Sequence, residues 1–170
     1  MLRAAMTTFE LTGSWSGHYE QSGGRHGISM RVAQRGQSFV GAMRDANTVL
    51  ASREPLPGRP SASGGSTEIV GEAEVLSTLP EHSIIEGEVT GRVVAFEKRY
   101  RGKSTTSIRL AKGKTMSFEL EGHVVLYRGT LDASGNEIAG HWRIPPRDGS
   151  PGLRGAFLLR RAAVAPATER

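Results

Sequence analysis

The chain has 170 residues, 37% of them hydrophobic and 23% charged, with 22 glycines and no cysteine. That length suits one globular core, and the missing cysteines exclude disulfides, thiolate metal sites and a cysteine nucleophile. A formal charge of +5 draws polyanions, while no apolar run is long enough for a signal peptide or a membrane-spanning helix, so a cytoplasmic protein without membrane contact is expected.

Residues 1–8 are expected to be a flexible start. From Phe9 the odd positions Phe9, Leu11, Gly13, Trp15, Gly17 and Tyr19 alternate with Glu10, Thr12, Ser14, Ser16, His18 and Glu20. Helical spacing cannot produce that split, which belongs to a strand with one buried face. Gly23 to Gly27 reads as a hairpin tip, Ile28, Met30 and Val32 as a second strand, and Arg35-Gly36-Gln37 as the turn into a third, Phe39 to Met43. Asp45 reads as a strand-ending turn residue, the alternative being a carboxylate at the strand end that points into a barrel mouth. The Pro-, Gly- and Ser-rich stretch from Asn47 to Thr67 predicts a long flexible loop over one barrel mouth.

Ile69, Gly71, Ala73 and Val75, then Ile85, Gly87 and Val89, form two further strands with glutamates on their solvent side. Thr90-Gly91-Arg92 turns into Val94, Phe96 and Tyr100. The basic run Lys98 to Lys103, extended by Arg109, Lys112 and Lys114, reads as a solvated rim whose long stems pack on the barrel; the alternative is a hairpin that binds nucleic acid. Strands at 116–120, 124–131, 138–144 and 155–161 complete the set, with Asp132 to Asn136 as a hairpin loop and residues 162–170 as a disordered tail.

One unit recurs: large apolar residue, any residue, glycine, any residue, apolar residue. Trp15-Ser-Gly17-His-Tyr19, Ile85-Glu-Gly87-Glu-Val89, Ile138-Ala-Gly140-His-Trp142 and Leu153-Arg-Gly155-Ala-Phe157 are examples. Glycine within a strand costs about 0.5 to 1 kcal/mol against alanine, so its repetition on a buried face calls for a compensating gain. Tight coiling around a narrow barrel supplies one, because inward glycines leave room for neighbouring aromatics. The competing reading is a sandwich in which the glycines only mark bulges. The expected fold is all-β: a small antiparallel up-and-down barrel of about 8–10 strands, in one domain over residues 9–161.

Catalytic motifs are missing. The histidines at 18, 26, 82, 123 and 141 have no spacing that brings two onto one metal, and those at 18, 123 and 141 have the parity of the outward face. No serine elbow, phosphate loop or dinucleotide fingerprint is present.

Gly13-Ser-Trp15 near the start and Arg160-Arg161 at the end of the last strand resemble the glycine-any-tryptophan signature of the calycin superfamily (lipocalins, avidins and fatty-acid-binding proteins) and its late basic residue. Arg161 shares the parity of Phe157 and Leu159, so the resemblance implies a cation–π cap on Trp15. Gly13-Ser-Trp15-Ser-Gly17 is also similar to the opening of the haem-carrying nitrobindins. Haem would need an inward axial histidine late in the chain, and His141 has the parity opposite to Trp142, so no cofactor is expected.

The resemblance implies a non-catalytic binding module for a small apolar or aromatic ligand or a protein partner. The candidate ligand-binding residues are Trp15, Tyr19, Tyr100, Tyr127, Trp142, Phe157 and Arg161, either as packed core or as a pocket at one barrel end. A lipocalin-like barrel enzyme of the isomerase, cyclase or hydratase type is the rival; it requires a buried ionisable pair that the sequence does not single out.

Overall fold

A computed structural model describes residues 9–57, 69–110, 113–121, 123–147 and 152–163. They form twelve strands: β1 (Gly13–Gln21), β2 (Gly24–Arg35), β3 (Ser38–Asp45), β4 (Val49–Pro57), β5 (Ile69–Thr78), β6 (His82–Thr90), β7 (Val93–Tyr100), β8 (Lys103–Leu110), β9 (Thr115–Glu121), β10 (Val124–Leu131), β11 (Glu137–Ile144) and β12 (Leu153–Arg161). No helix occurs among the described residues, and so none that could cross a membrane.

Eight strands close on themselves in the order β1-β12-β11-β10-β7-β6-β3-β2, every seam antiparallel. Skipping β4-β5 and β8-β9, this is an up-and-down meander, the expected class. The two skipped hairpins pair with each other as a four-stranded sheet, β4-β5-β8-β9. Both leave the same end of the barrel, since β3 leads to β4, β5 to β6, β7 to β8 and β9 to β10. The sheet is thus a wing, in which each strand extends a barrel neighbour. Backbone bonds from Asp45 N to Glu81 O and from Arg101 N to His82 O, both 3.0 Å, span the junction.

The wing corrects two expectations. Where a loop from Asn47 to Thr67 was expected, Val49–Pro57 is a strand; residues 58–68 lie outside the described set. Pro55 can stand in β4 because this is an edge strand, with one side needing no ladder hydrogen bond. The strand with Ile69, Gly71, Ala73 and Val75 belongs to the wing and not to the barrel. A third correction concerns the first hairpin. Its tip is only Ser22 and Gly23, at φ 50° and 77°, the two positive φ values of a tight two-residue turn, so His26 lies within β2 opposite Tyr19. The expected flexible start at 1–8, and the tail beyond residue 163, lie outside the described residues.

Inside the barrel, alternation works as expected. Trp15, Tyr19, Met30, Phe39, Met43, Ile85, Phe96, Tyr127, Trp142 and Phe157 belong to one buried cluster. The glycines take the crowded positions. A Cβ on Gly17 would strike Leu158 O, and one on Gly87 would meet Ala95 O and, at 2.7 Å, the Phe39 ring. One on Gly155 would meet Glu20 O and, at 2.6 Å, Trp142 Nε1. Without side chains there, strands and rings approach closely enough to fill the middle of the barrel. Phe96 and Tyr127 stack at 4.7 Å, 4° from parallel, and Phe157 stands edge-on to both.

Candidate binding site at the wing end of the barrel

The seven candidate ligand-binding residues fall into three groups. Trp15 and Arg161 are cross-strand partners at the end away from the wing. The Arg161 guanidinium lies 4.4 Å from the Trp15 ring and donates to Thr12 O at 3.0 Å and to Glu10 O. Trp15 Nε1 donates to Leu11 O at 2.9 Å. The indole nitrogen of Trp15 and both terminal nitrogens of Arg161 are thus engaged, so this end is a plug. Tyr127 and Phe157 belong to the ring stack in the middle. Tyr19, Tyr100 and Trp142 lie toward the wing.

There the barrel encloses a polar cluster. Lys98 and Asp45 face inward from β7 and β3 with exposures of 0% and 1%. Lys98 Nζ donates to both Asp45 oxygens, at 2.8 and 2.7 Å, and to Tyr100 Oη at 3.0 Å. The ammonium has three protons, and three acceptors take them. It also lies 4.3 Å from the Tyr100 ring centroid and 5.9 Å from that of Tyr19, so aromatic faces add to its stabilisation. Burial pushes the Asp45 carboxyl above the usual carboxylate range and the Lys98 ammonium below the usual lysine range, each opposed by the other's charge. Ser83, buried on β6, donates to Met43 O at 3.1 Å.

This overturns two readings. Asp45 is not a turn residue but an inward strand residue. Lys98 is not part of a solvated rim. Its neighbour Arg99 points outward and donates to Glu97 at 2.8 Å, and Lys103 pairs with Glu119 at 3.1 Å, so acidic partners intersperse the basic run.

Aromatic groups close the cluster on two sides. Tyr19 stands edge-on to Trp142 at 5.9 Å and packs on His26 at 5.0 Å, while Trp142 Nε1 donates to Glu20 O at 3.1 Å. Tyr100 packs on His123 at 5.0 Å. His123, expected on the outer face, is half-buried here because it lies just before β10 at the wing junction, where the barrel wall gives way to the hairpin. Burial, then the Lys98 and Arg147 charges, lowers its pKa from the ordinary value and keeps it neutral at pH 7. His141 is exposed on the outer wall, as its parity indicated. Burial raises the phenol pKa of Tyr19, Tyr100 and Tyr127 far above the free value, with the Asp45 charge adding to it.

Two atoms in this region are left over. Tyr19 Oη and His26 Nδ1 are buried and have no hydrogen-bond partner. Parity along β7, where Val94, Phe96, Lys98 and Tyr100 share one face, would have brought Lys98 inward from sequence alone. For His26 the missing signal was the length of the turn.

Among the described residues no three histidine or acidic side chains lie together as metal ligands. Comparison with protein-family models, with curated proteins and with solved structures finds no match to this chain.

Proposed function

We propose that the protein is a non-catalytic, calycin-like binding module of the cytoplasm whose ligand seat is the wing end of the barrel, beside Tyr19, His26, Tyr100 and Trp142. The observation that carries this reading is the pair of unpartnered buried atoms, Tyr19 Oη and His26 Nδ1. A buried polar group without a partner costs about 1 to 3 kcal/mol, and a ligand that bonds to both recovers that cost. Trp142, Tyr19 and Tyr100 supply faces for a small planar or aromatic body. With the ring stack filling the middle, the proposed seat suits a small molecule better than a long acyl chain. The Arg161 cap on Trp15 supports the calycin kinship.

The only two tryptophans mark opposite ends, which makes a clean test. A naphthalene sulfonate probe should bind saturably and change the emission of the Trp15→Phe protein, where Trp142 alone reports, but not that of Trp142→Phe. Tyr19→Phe should weaken binding by about tenfold, the equivalent of one hydrogen bond. No saturable binding, or an equal response at Trp15, would reject the seat.

The buried Lys98–Asp45 pair favours a second reading, a barrel enzyme using acid–base chemistry. It requires Lys98 to release one of its three acceptors when a substrate enters. A shift of the Lys98 Nζ resonance on adding a ligand would support this reading; a resonance unchanged at saturation would leave the pair as architecture.

A further inference from the structure

A furrow of about 1440 Å³ crosses the outside of the barrel over β3, β6, β7, β10, β11 and β12. Two rows of outward side chains flank it. Strand register places Glu86, Glu97, Leu126, Arg143 and Arg154 side by side in the first row. The second row runs Glu88, Ala95, Arg128 and His141. Each row is acidic on the β6 and β7 side and basic on the β10 to β12 side.

The arrangement works against the isolated chain. Glu86 lies directly across from Glu97, and Arg143 from Arg154, and like charges in such positions repel. Glu97 is relieved by Arg99. Among the described residues Glu86, Glu88, Arg128, Arg143 and Arg154 have no ion-pair partner.

We infer that this wall is the contact face for a second copy of the same chain, related by a two-fold axis running parallel to the strands along the β7/β10 seam. Such an axis lays β7 over the partner's β10 and β6 over its β11. Glu86 then faces Arg143, Glu88 faces His141, Glu97 faces Leu126 and Ala95 faces Arg128, each across the axis. No like charges meet. A two-fold interface must be self-complementary, and this wall is divided between opposite charges in the way that requires. Only the four strands nearest the axis need approach, so the outward curve of the barrel is compatible with the contact, and the long Glu and Arg side chains span the widening gap.

Analytical ultracentrifugation of the full chain tests it. A dimer is expected at low ionic strength, with a dissociation constant that rises as salt is added. Glu86→Arg alone and Arg143→Glu alone should each raise that constant at least tenfold, and an equimolar mixture of the two should restore association as a heterodimer. A wild-type chain that stays monomeric at low salt, a dimer untouched by either reversal, or a mixture that fails to recover would overturn the proposal. A monomer that instead captures an unrelated protein would do so as well.

Discussion

The barrel and the wing are built from strands of the same kind, yet the first is dry and the second is not. In the barrel, nineteen buried hydrophobic residues form one cluster. Among the described hydrophobic residues of the wing, Ala73 alone reaches that degree of burial, while Leu76, Met116 and Phe118 are 37 to 49% exposed. Alternation makes a strand two-faced, but closure decides whether one face leaves water. A four-stranded open sheet offers its apolar side nothing to pack against, whereas a ring of eight packs against itself. Glycine follows the same division: a Cβ at Gly87 would strike its surroundings, and one at Gly71 in the wing would meet nothing within 4 Å.

The contrast can be tested first with alkali. All three tyrosines are in the barrel, and burial raises each phenol pKa. Below pH 10 both folded and unfolded chains hold these protons. Above it the unfolded chain releases them and the folded one does not, so stability is lost as pH rises, by about 4 kcal/mol per pH unit for three groups. Tyrosinate absorbance should stay absent in the native state and appear together with unfolding; gradual appearance near pH 10 in folded protein would show the barrel to be wet.

Next in size is the buried pair. Asp45→Ala leaves a lysine in the interior without its counter-ion and should cost about 3 to 5 kcal/mol in urea unfolding, whereas the double variant Asp45→Leu with Lys98→Met should recover most of the loss. A small single-variant effect would mean that water reaches the cluster. The smallest contrast compares Gly87→Ala, expected to cost about 1 to 3 kcal/mol through overpacking, with Leu76→Ala in the wing, expected within about 0.5 kcal/mol. Equal costs would erase the distinction between the two sheets.

Most of the barrel was legible in the sequence because its information is local: parity gave the inward faces, and the glycine unit gave the coiling. The Trp15–Arg161 contact was also foreseeable, from motif and parity at the two ends of the barrel. The wing was not, since Ile69 to Val75 alternates just as a barrel strand does, and only long-range pairing with β4 and β8 separates them. The polar cluster was hidden for a related reason. Parity along β7 turns Lys98 inward against the solvent reading of its basic run, but its partner Asp45 lies 53 residues away, so neither residue alone announces the pair. The unpartnered atoms of Tyr19 and His26 depend on a two-residue turn that four neighbouring polar and glycine residues could have made in several ways.

The seam between β1 and β12 joins Trp15 to Arg161, while each other barrel seam links strands adjacent in the chain or separated by one hairpin. Assembly can therefore proceed by neighbouring additions along the meander until a curled but open ribbon remains, with its first and last strands facing each other. Zipping that gap is a single long-range closure whose entropic toll grows only slowly with the length enclosed, and it turns two sticky borders into none. The tryptophan that plugs the barrel is thus also a clasp, fastened by the last strand to arrive.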